Sequence, residues 1–231
     1  MSGLNQHTAN VPTHRVRGFE SLSLRIYHFL CMKKIAIDAY YIGDICHVVG
    51  GIFNKWNDEH VSKFIYADVK VDSEYIPGEF YKRELPGILK LLEQVNLDEF
   101  DTIIIDGYVH LKEFGHVSDD GKFISGPVKR GLGCHLRTAL SSYYMKRKPR
   151  KRLNIVGIAK TLYGDNSEYG QCYRGDSKKP LYITGLDLYR GKYGKLLCTF
   201  GLIRAIKRMS GCYRIPTIIK EVDTETKKIA K

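Results

Sequence analysis

Hydrophobic positions along the chain fall into short runs that change period several times. Three strand-like runs come first: Lys33–Ile42 (KKIAIDAYYI), Ile45–Phe53 (ICHVVGGIF) and His60–Val69 (HVSKFIYADV). Gly43-Asp44 is a turn-like pair, and short links favour antiparallel pairing, so these runs predict a meander. Glu74–Gly78 (EYIPG) breaks the pattern as a rigid turn. From about Phe80 to Val95 the period becomes helical, with Leu85, Ile88, Leu89 and Leu92 at i, i+3, i+4 and i+7. Pro86 places the start of the regular helix near itself. Asp101–Asp106 (DTIIID) reads as a strand buried on both faces and closed by an acid. A glycine-punctuated loop runs to about Gly133. A helix over Leu136–Met145, a buried strand over Asn154–Ala159 and a hairpin of Glu168–Tyr173 with Leu181–Thr184 follow. Helices are expected over Tyr193–Met209 and, as a charged helix or tail, over 217–231. No internal repeat is evident. Meander, helix, strand, helix, strand, helix is a mixed α/β order.

Composition adds a partner class. A chain of 231 residues is long enough for one sizeable core. Lys and Arg number 37 against 25 Asp and Glu, a formal charge of +12, which favours polyanions: nucleic acid first, an acidic membrane surface second. Lys146–Arg152 holds six basic residues in seven, either a solvated loop or a phosphate contact. No run of about 18 apolar residues is present, so no transmembrane helix and no membrane partner are expected. Leu22–Cys31 is short, interrupted by Arg25 and His28, and lacks a small-residue cleavage site, so it is not read as a signal peptide. Residues 1–31 are expected to be a dispensable extension, and 32–231 a single domain opening at Met32. The six cysteines form no CxxC pair and no zinc-finger spacing, which points to free thiols and a reducing, cytoplasmic setting.

Candidate chemistry rests on carboxylates. Asp38 sits inside an apolar strand, where Asp is disfavoured, and period two puts Ala36, Asp38 and Tyr40 on one face. Asp106 ends its strand. Such an acid either caps a turn or faces the crevice at the carboxyl ends of an α/β sheet. Glu84 borders the helical stripe and is otherwise an ordinary surface acid. Two strand-borne acids are costly to bury unless a cation compensates them. Converging carboxylates would bind Mg²⁺ or Mn²⁺ through hard oxygen ligands, and the absence of paired His and Cys ligands argues against zinc.

These segments together resemble endonuclease V. The likeness runs over about Met32–Asp223: IAIDAYY as the first strand with its Asp and trailing aromatic; YIPGEFYKRELP as the Tyr-x-Pro-Gly segment and Arg-Glu pair; IIIDG as a strand ending Asp-Gly; GLGCHL and IVGIAK as a helix opening and a strand ending in Lys; KKPLYITGLDL and RIPTIIKEVD as the late strand and closing helix. The resemblance implies a ribonuclease-H-like fold, a mixed five-stranded sheet flanked by helices. It implies a Mg²⁺-dependent endonuclease, with Mn²⁺ able to substitute. The cut would fall in a nucleic acid 3′ of a deaminated base: deoxyinosine in DNA, with inosine in RNA open. No obligate protein partner is implied. Asp38, Glu84, Asp106 and Asp223 would hold the metal, and Lys160 would stand by the scissile phosphate. Read alone, Lys160 is a plain strand-end lysine and Asp223 one acid in a charged tail. Tyr75, Ile76, Pro77 and Gly78 would form a wedge beside the damaged base, or else a tight turn with a core tyrosine. Gly107 and Gly133 would line the pocket for the extruded base. His110 fills the family's histidine position or is an ordinary loop residue, with His116 the competitor. Departures fall at the shortened Gly107-Tyr108-Val109-His110, at Gly185-Leu186 where Gly-His is usual, and at Ile215–Ile218.

Three rival readings remain open from sequence. A non-catalytic nucleic-acid-binding module would lose a ligand, yet all four acids are present. Another ribonuclease-H-like nuclease would not need the Tyr75–Gly78 wedge. A cysteine nucleophile lacks a clear histidine partner.

Overall fold

The computed structural model describes residues 32–71, 79, 81–140, 153–165, 170–185 and 194–229, with the backbone alone over 194–199. The chain divides after Cys31. The expectation that residues 1–31 are dispensable falls outside the described residues, as do the Tyr75–Gly78 turn and the basic run 146–152.

Strands β1 (Lys33–Ile42), β2 (Ile45–Phe53) and β3 (Lys63–Lys70) form the expected antiparallel meander. Helix α1 (Tyr81–Leu92) crosses to β4 (Phe100–Asp106), which lies parallel to β1. Helix α2 (Leu132–Ala139) precedes β9 (Asn154–Ala159), parallel to β4. Between β4 and α2 the expected loop folds into two ribbons: β5 (His110–Lys112) with β8 (Val128–Arg130), and β6 (His116–Val117) with β7 (Phe123–Ile124). The late hairpin is β10 (Gly170–Cys172) with β11 (Leu181–Gly185), and α3 (Gly194–Lys207) and α4 (Thr217–Ile229) close the chain.

The sheet order is β10-β11-β9-β4-β1-β2-β3. The run β3-β2-β1-β4-β9 is the five-stranded ribonuclease-H-like core. The expectation of five strands is corrected to seven, because β11 pairs antiparallel with β9 and carries β10 with it. Two helix starts also move. Helix α1 begins at Tyr81 and contains Pro86, which removes one ladder bond in its second turn without ending the helix. Helix α2 begins at Leu132, four residues before the expected start, and its expected continuation past Leu140 lies outside the described residues.

Both sheet faces are buried, as the unbroken apolar runs of β4 and β9 require. Ile35, Ile37, Ile103 and Ile105 pack on one face with α1 and α2. Ala36, Ile104, Val156 and Ile158 pack on the other with Ile206 of α3 and Ile218 and Val222 of α4. Gly51 in β2 has a direct bearing on the site. A Cβ there would collide with the Val222 side chain, so the glycine lets α4 lie close on the sheet beside β1. Among the described residues, no helix is long and apolar enough to cross a membrane.

Candidate active site

Strand parity and register gather the site. Strands β1, β4 and β9 run parallel, so their carboxyl ends lie together. Ile37 pairs with Ile105, and one further step sets Asp38 against Asp106. Asp106 pairs with Ile158, which shares a face with Lys160 two residues on. The fourth polar group arrives from α4, where Ile219, Val222 and Asp223 face the same cleft. Asp38, Asp106, Lys160 and Asp223 thus line one pocket floored by Ala36, Ile104 and Ile158. Glu84, on α1, does not line that pocket. It is 6% exposed, and Asp106 and Asp38 are the acids whose fields it feels.

The lysine ammonium lies between two carboxylates. Lys160 Nζ donates to Asp106 Oδ2 at 2.7 Å and to Asp223 Oδ1 at 3.3 Å. Lys227, one turn beyond Asp223, donates to its other oxygen at 2.7 Å. Burial pushes the Asp38 carboxyl up to about 6; neighbouring Asp106 and Asp223 push the same way, and Lys160 and a hydrogen bond from Thr226 push back. Burial, then Asp106 and Asp38, hold Glu84 well above the usual carboxylate range, with Arg83 opposing. Burial works against the Lys160 charge, but Asp106, Asp223 and Asp38 outweigh it and raise its pKa. Burial also works against the Asp223 charge, and Lys227 and Lys160 outweigh that and lower its pKa. Three pocket carboxyls thus stand against two lysines, with the Glu84 carboxyl held toward its neutral form.

Such a set fits a hard divalent cation. Its donors are all carboxylate oxygens, and no histidine or cysteine lines the pocket. Among the described residues, no three acids already close around a single point at ligand distance. Lys160 bridges Asp106 and Asp223 within the same pocket.

The other sequence candidates divide by position. Gly107 leaves β4 with a φ of 129°, a backbone region that favours glycine, and has open space where a Cβ would point. Gly133 is buried, and a Cβ there would strike Val109, so it serves helix packing beside the strand exit. His110 lies in β5 opposite Arg130, and His116 is exposed in β6. Four residues with a part here went unnoticed in the sequence. Thr226 and Lys227 lie three and four positions after Asp223, a spacing that could have flagged them. Tyr108 and Arg214 had no local signal. The Tyr108 hydroxyl donates to Thr161 O at 2.6 Å and accepts from Tyr163 N–H at 3.1 Å. The Arg214 guanidinium donates to the Lys160 carbonyl.

Burial of Asp38 beside other acids has a measurable consequence in chelator. The native state keeps a proton on Asp38 up to about pH 6, whereas the unfolded chain releases it near pH 4. The native state then binds more protons, so this contribution is full below pH 4 and is lost as pH rises through 6. Asp38→Asn should accordingly be more stable than wild type at pH 7 by roughly 2 kcal/mol, with the gap closing toward pH 4. Thermal unfolding in chelator at both pH values checks this, and a gap that does not change with pH contradicts it.

Comparisons with known proteins give the family and the fold. A family profile described as endonuclease V matches residues 36–224. Endonuclease V from Streptomyces avermitilis superposes with a TM-score of 0.52 at 14% identity, covering 95% of this chain and 96% of that one. Endonuclease V from Bacillus subtilis gives 0.51 at 14% identity, covering 94% and 93%. At that identity the structures speak for the shared fold. A comparison with curated proteins returned no match.

Proposed function

Because the chain belongs to the endonuclease V family, and is therefore a nuclease acting on DNA, we propose that it is a divalent-cation-dependent endonuclease for deaminated bases. It hydrolyses the phosphodiester 3′ of deoxyinosine in DNA, or of inosine in RNA, leaving a 3′-hydroxyl and a 5′-phosphate. The convergence of Asp38, Asp106 and Asp223 on one pocket, with Lys160 between two of them and Glu84 buried alongside, carries this reading.

Asp38, Glu84, Asp106 and Asp223 would hold Mg²⁺, with Mn²⁺ able to substitute. A cation bound there supplies Lewis-acid polarisation of the phosphate and lowers the pKa of water. Lys160 has its ammonium fixed by Asp106 and Asp223, where it can donate to a non-bridging phosphate oxygen as charge builds there. Ile104, Ile158, Ile219 and Val222 wall the pocket and exclude water behind the carboxylates. Gly107, one residue beyond Asp106, gives an unobstructed approach for the ring of an extruded base. Tyr75–Gly78 is the wedge, with the tyrosine ring stacking where the base has left.

Labelled strands carrying one inosine or deoxyinosine, single or double, test the reading in Mg²⁺ and in chelator. Cutting 3′ of the lesion in Mg²⁺ is expected, with none in chelator and none in the adenine control. Equal cutting of the control, or cutting that persists in chelator, overturns it. Tyr75→Ala should narrow the inosine-to-adenine ratio by about tenfold. An unchanged ratio removes the wedge.

A further inference from the structure

The cleft described above does not use a neighbouring surface rich in aromatic and cationic side chains. The loop from α3 to α4 and the turn from β10 to β11 meet there. Arg174, 6% exposed, donates to Tyr213 O at 3.1 Å, to Gly211 O at 3.0 Å and to Ser210 O at 3.2 Å, and also to Met209 O. Gly175 packs directly against the Cys212 carbonyl, so the two segments form one ledge. Tyr213 projects from it 70% exposed, with Lys220 Nζ 5.6 Å from its ring centroid. Tyr173, on the partner turn, is 50% exposed.

Charge on the ledge has one sign. Residues 173–179 and 210–220 hold Arg174, Lys178, Lys179, Arg214 and Lys220 against one acid, Asp176. Lys178, Lys179 and Lys220 are exposed, and none is paired with a carboxylate among the described residues. The ledge is also continuous with the catalytic pocket. Arg214 donates to the carbonyl of Lys160 and, at 2.7 Å, to that of Pro180, beside Lys179. Helix α4 carries Lys220 on the ledge and Asp223 in the pocket.

We propose that this ledge is a binding track for the nucleic-acid strand flanking the cut, with a base stacking on Tyr213 and phosphates meeting Lys179 and Lys220. An exposed ring with lysines beside it suits a single strand, because any base offers a face and the backbone offers a regular row of charges. A protein partner fits less well, because the ledge is cationic and its rings stand singly between lysines. The proposal deepens the nuclease reading and rests on it for the direction of the strand, but its binding arm can be read without cleavage.

The experiment measures Kd of the full chain for fluorescein-labelled strands lengthened stepwise on the 3′ or the 5′ side of one deoxyinosine, with unmodified strands beside them. Wild-type affinity should rise with length on one side. Tyr213→Ala should remove about tenfold of that gain, and Tyr213→Phe should keep it. Lys179→Ala and Lys220→Ala should each lower the slope of log Kd against log salt by about one. Unchanged affinity of Tyr213→Ala at every length overturns the track, as does an equal loss on both sides. A wild type that binds with the expected length dependence but cuts no inosine strand sinks the nuclease reading and leaves the track standing. A wild type that binds no strand sinks both.

Discussion

Asp38→Ala and Asp106→Ala should each lower cleavage of an inosine-containing strand by at least about a thousandfold, while affinity for the strand stays within about threefold. The two acids stand on adjacent parallel strands, one register step beyond the last paired residues, on the face that also presents Lys160. Removing either leaves a hard cation without a ligand that no other side chain lining the pocket can replace, since those lining residues are mostly Ile, Val and Ala. Affinity for the strand should persist because it rests on a basic surface, and losing one carboxylate near the phosphate slightly relieves repulsion. Gel-based cleavage and fluorescence anisotropy on the same preparations measure both. Full activity in either variant would remove the carboxylates from the mechanism.

Lys160→Ala should cut turnover by about a hundredfold to a thousandfold through a different cause. Its ammonium binds Asp106 and Asp223 and so competes for the charge that a cation would occupy. Cation affinity should therefore hold or improve in the variant while turnover falls. A ligand would lose both together. Rates at saturating Mn²⁺, with the Mn²⁺ dependence measured alongside, separate the two effects. Weaker cation dependence together with a small loss of rate would assign Lys160 a structural part only.

Period and turn chemistry made most of the fold legible. The β1 and β2 boundaries follow directly from the apolar runs and Gly43-Asp44, and the i, i+3, i+4, i+7 stripe located α1 despite Pro86. The small ribbons over His110–Arg130 carry no strand signal in the sequence. Each strand there spans two or three residues, too few to show an alternation, and several of their apolar side chains stay exposed. The widening of the sheet was hidden for another reason: the hairpin was visible, but its pairing with β9 is long-range.

At the site, Asp38 announced itself as an acid inside an apolar strand. Glu84 and Asp223 did not, because each shares its helix with other acidic or basic residues, and only the family resemblance picked them out. Their packing explains the difference. Glu84 becomes costly to ionise once α1 buries it beside Asp106 and Asp38, and Asp223 matters because Gly51 lets α4 approach β1. Arg214 and Tyr108 act through backbone carbonyls and amides of the Lys160–Tyr163 segment, a partnership no local pattern encodes.

Equilibrium titration of Mn²⁺ into the metal-free protein at pH 7.5, followed by the electron paramagnetic resonance signal of free Mn²⁺, tests the central claim most directly. Saturable binding is expected in wild type and in Lys160→Ala, with a loss of tenfold or more in Asp38→Asn and Asp106→Asn. Equal Mn²⁺ binding by wild type and both Asp→Asn variants, or no binding by wild type, would contradict a cation site built from these carboxylates.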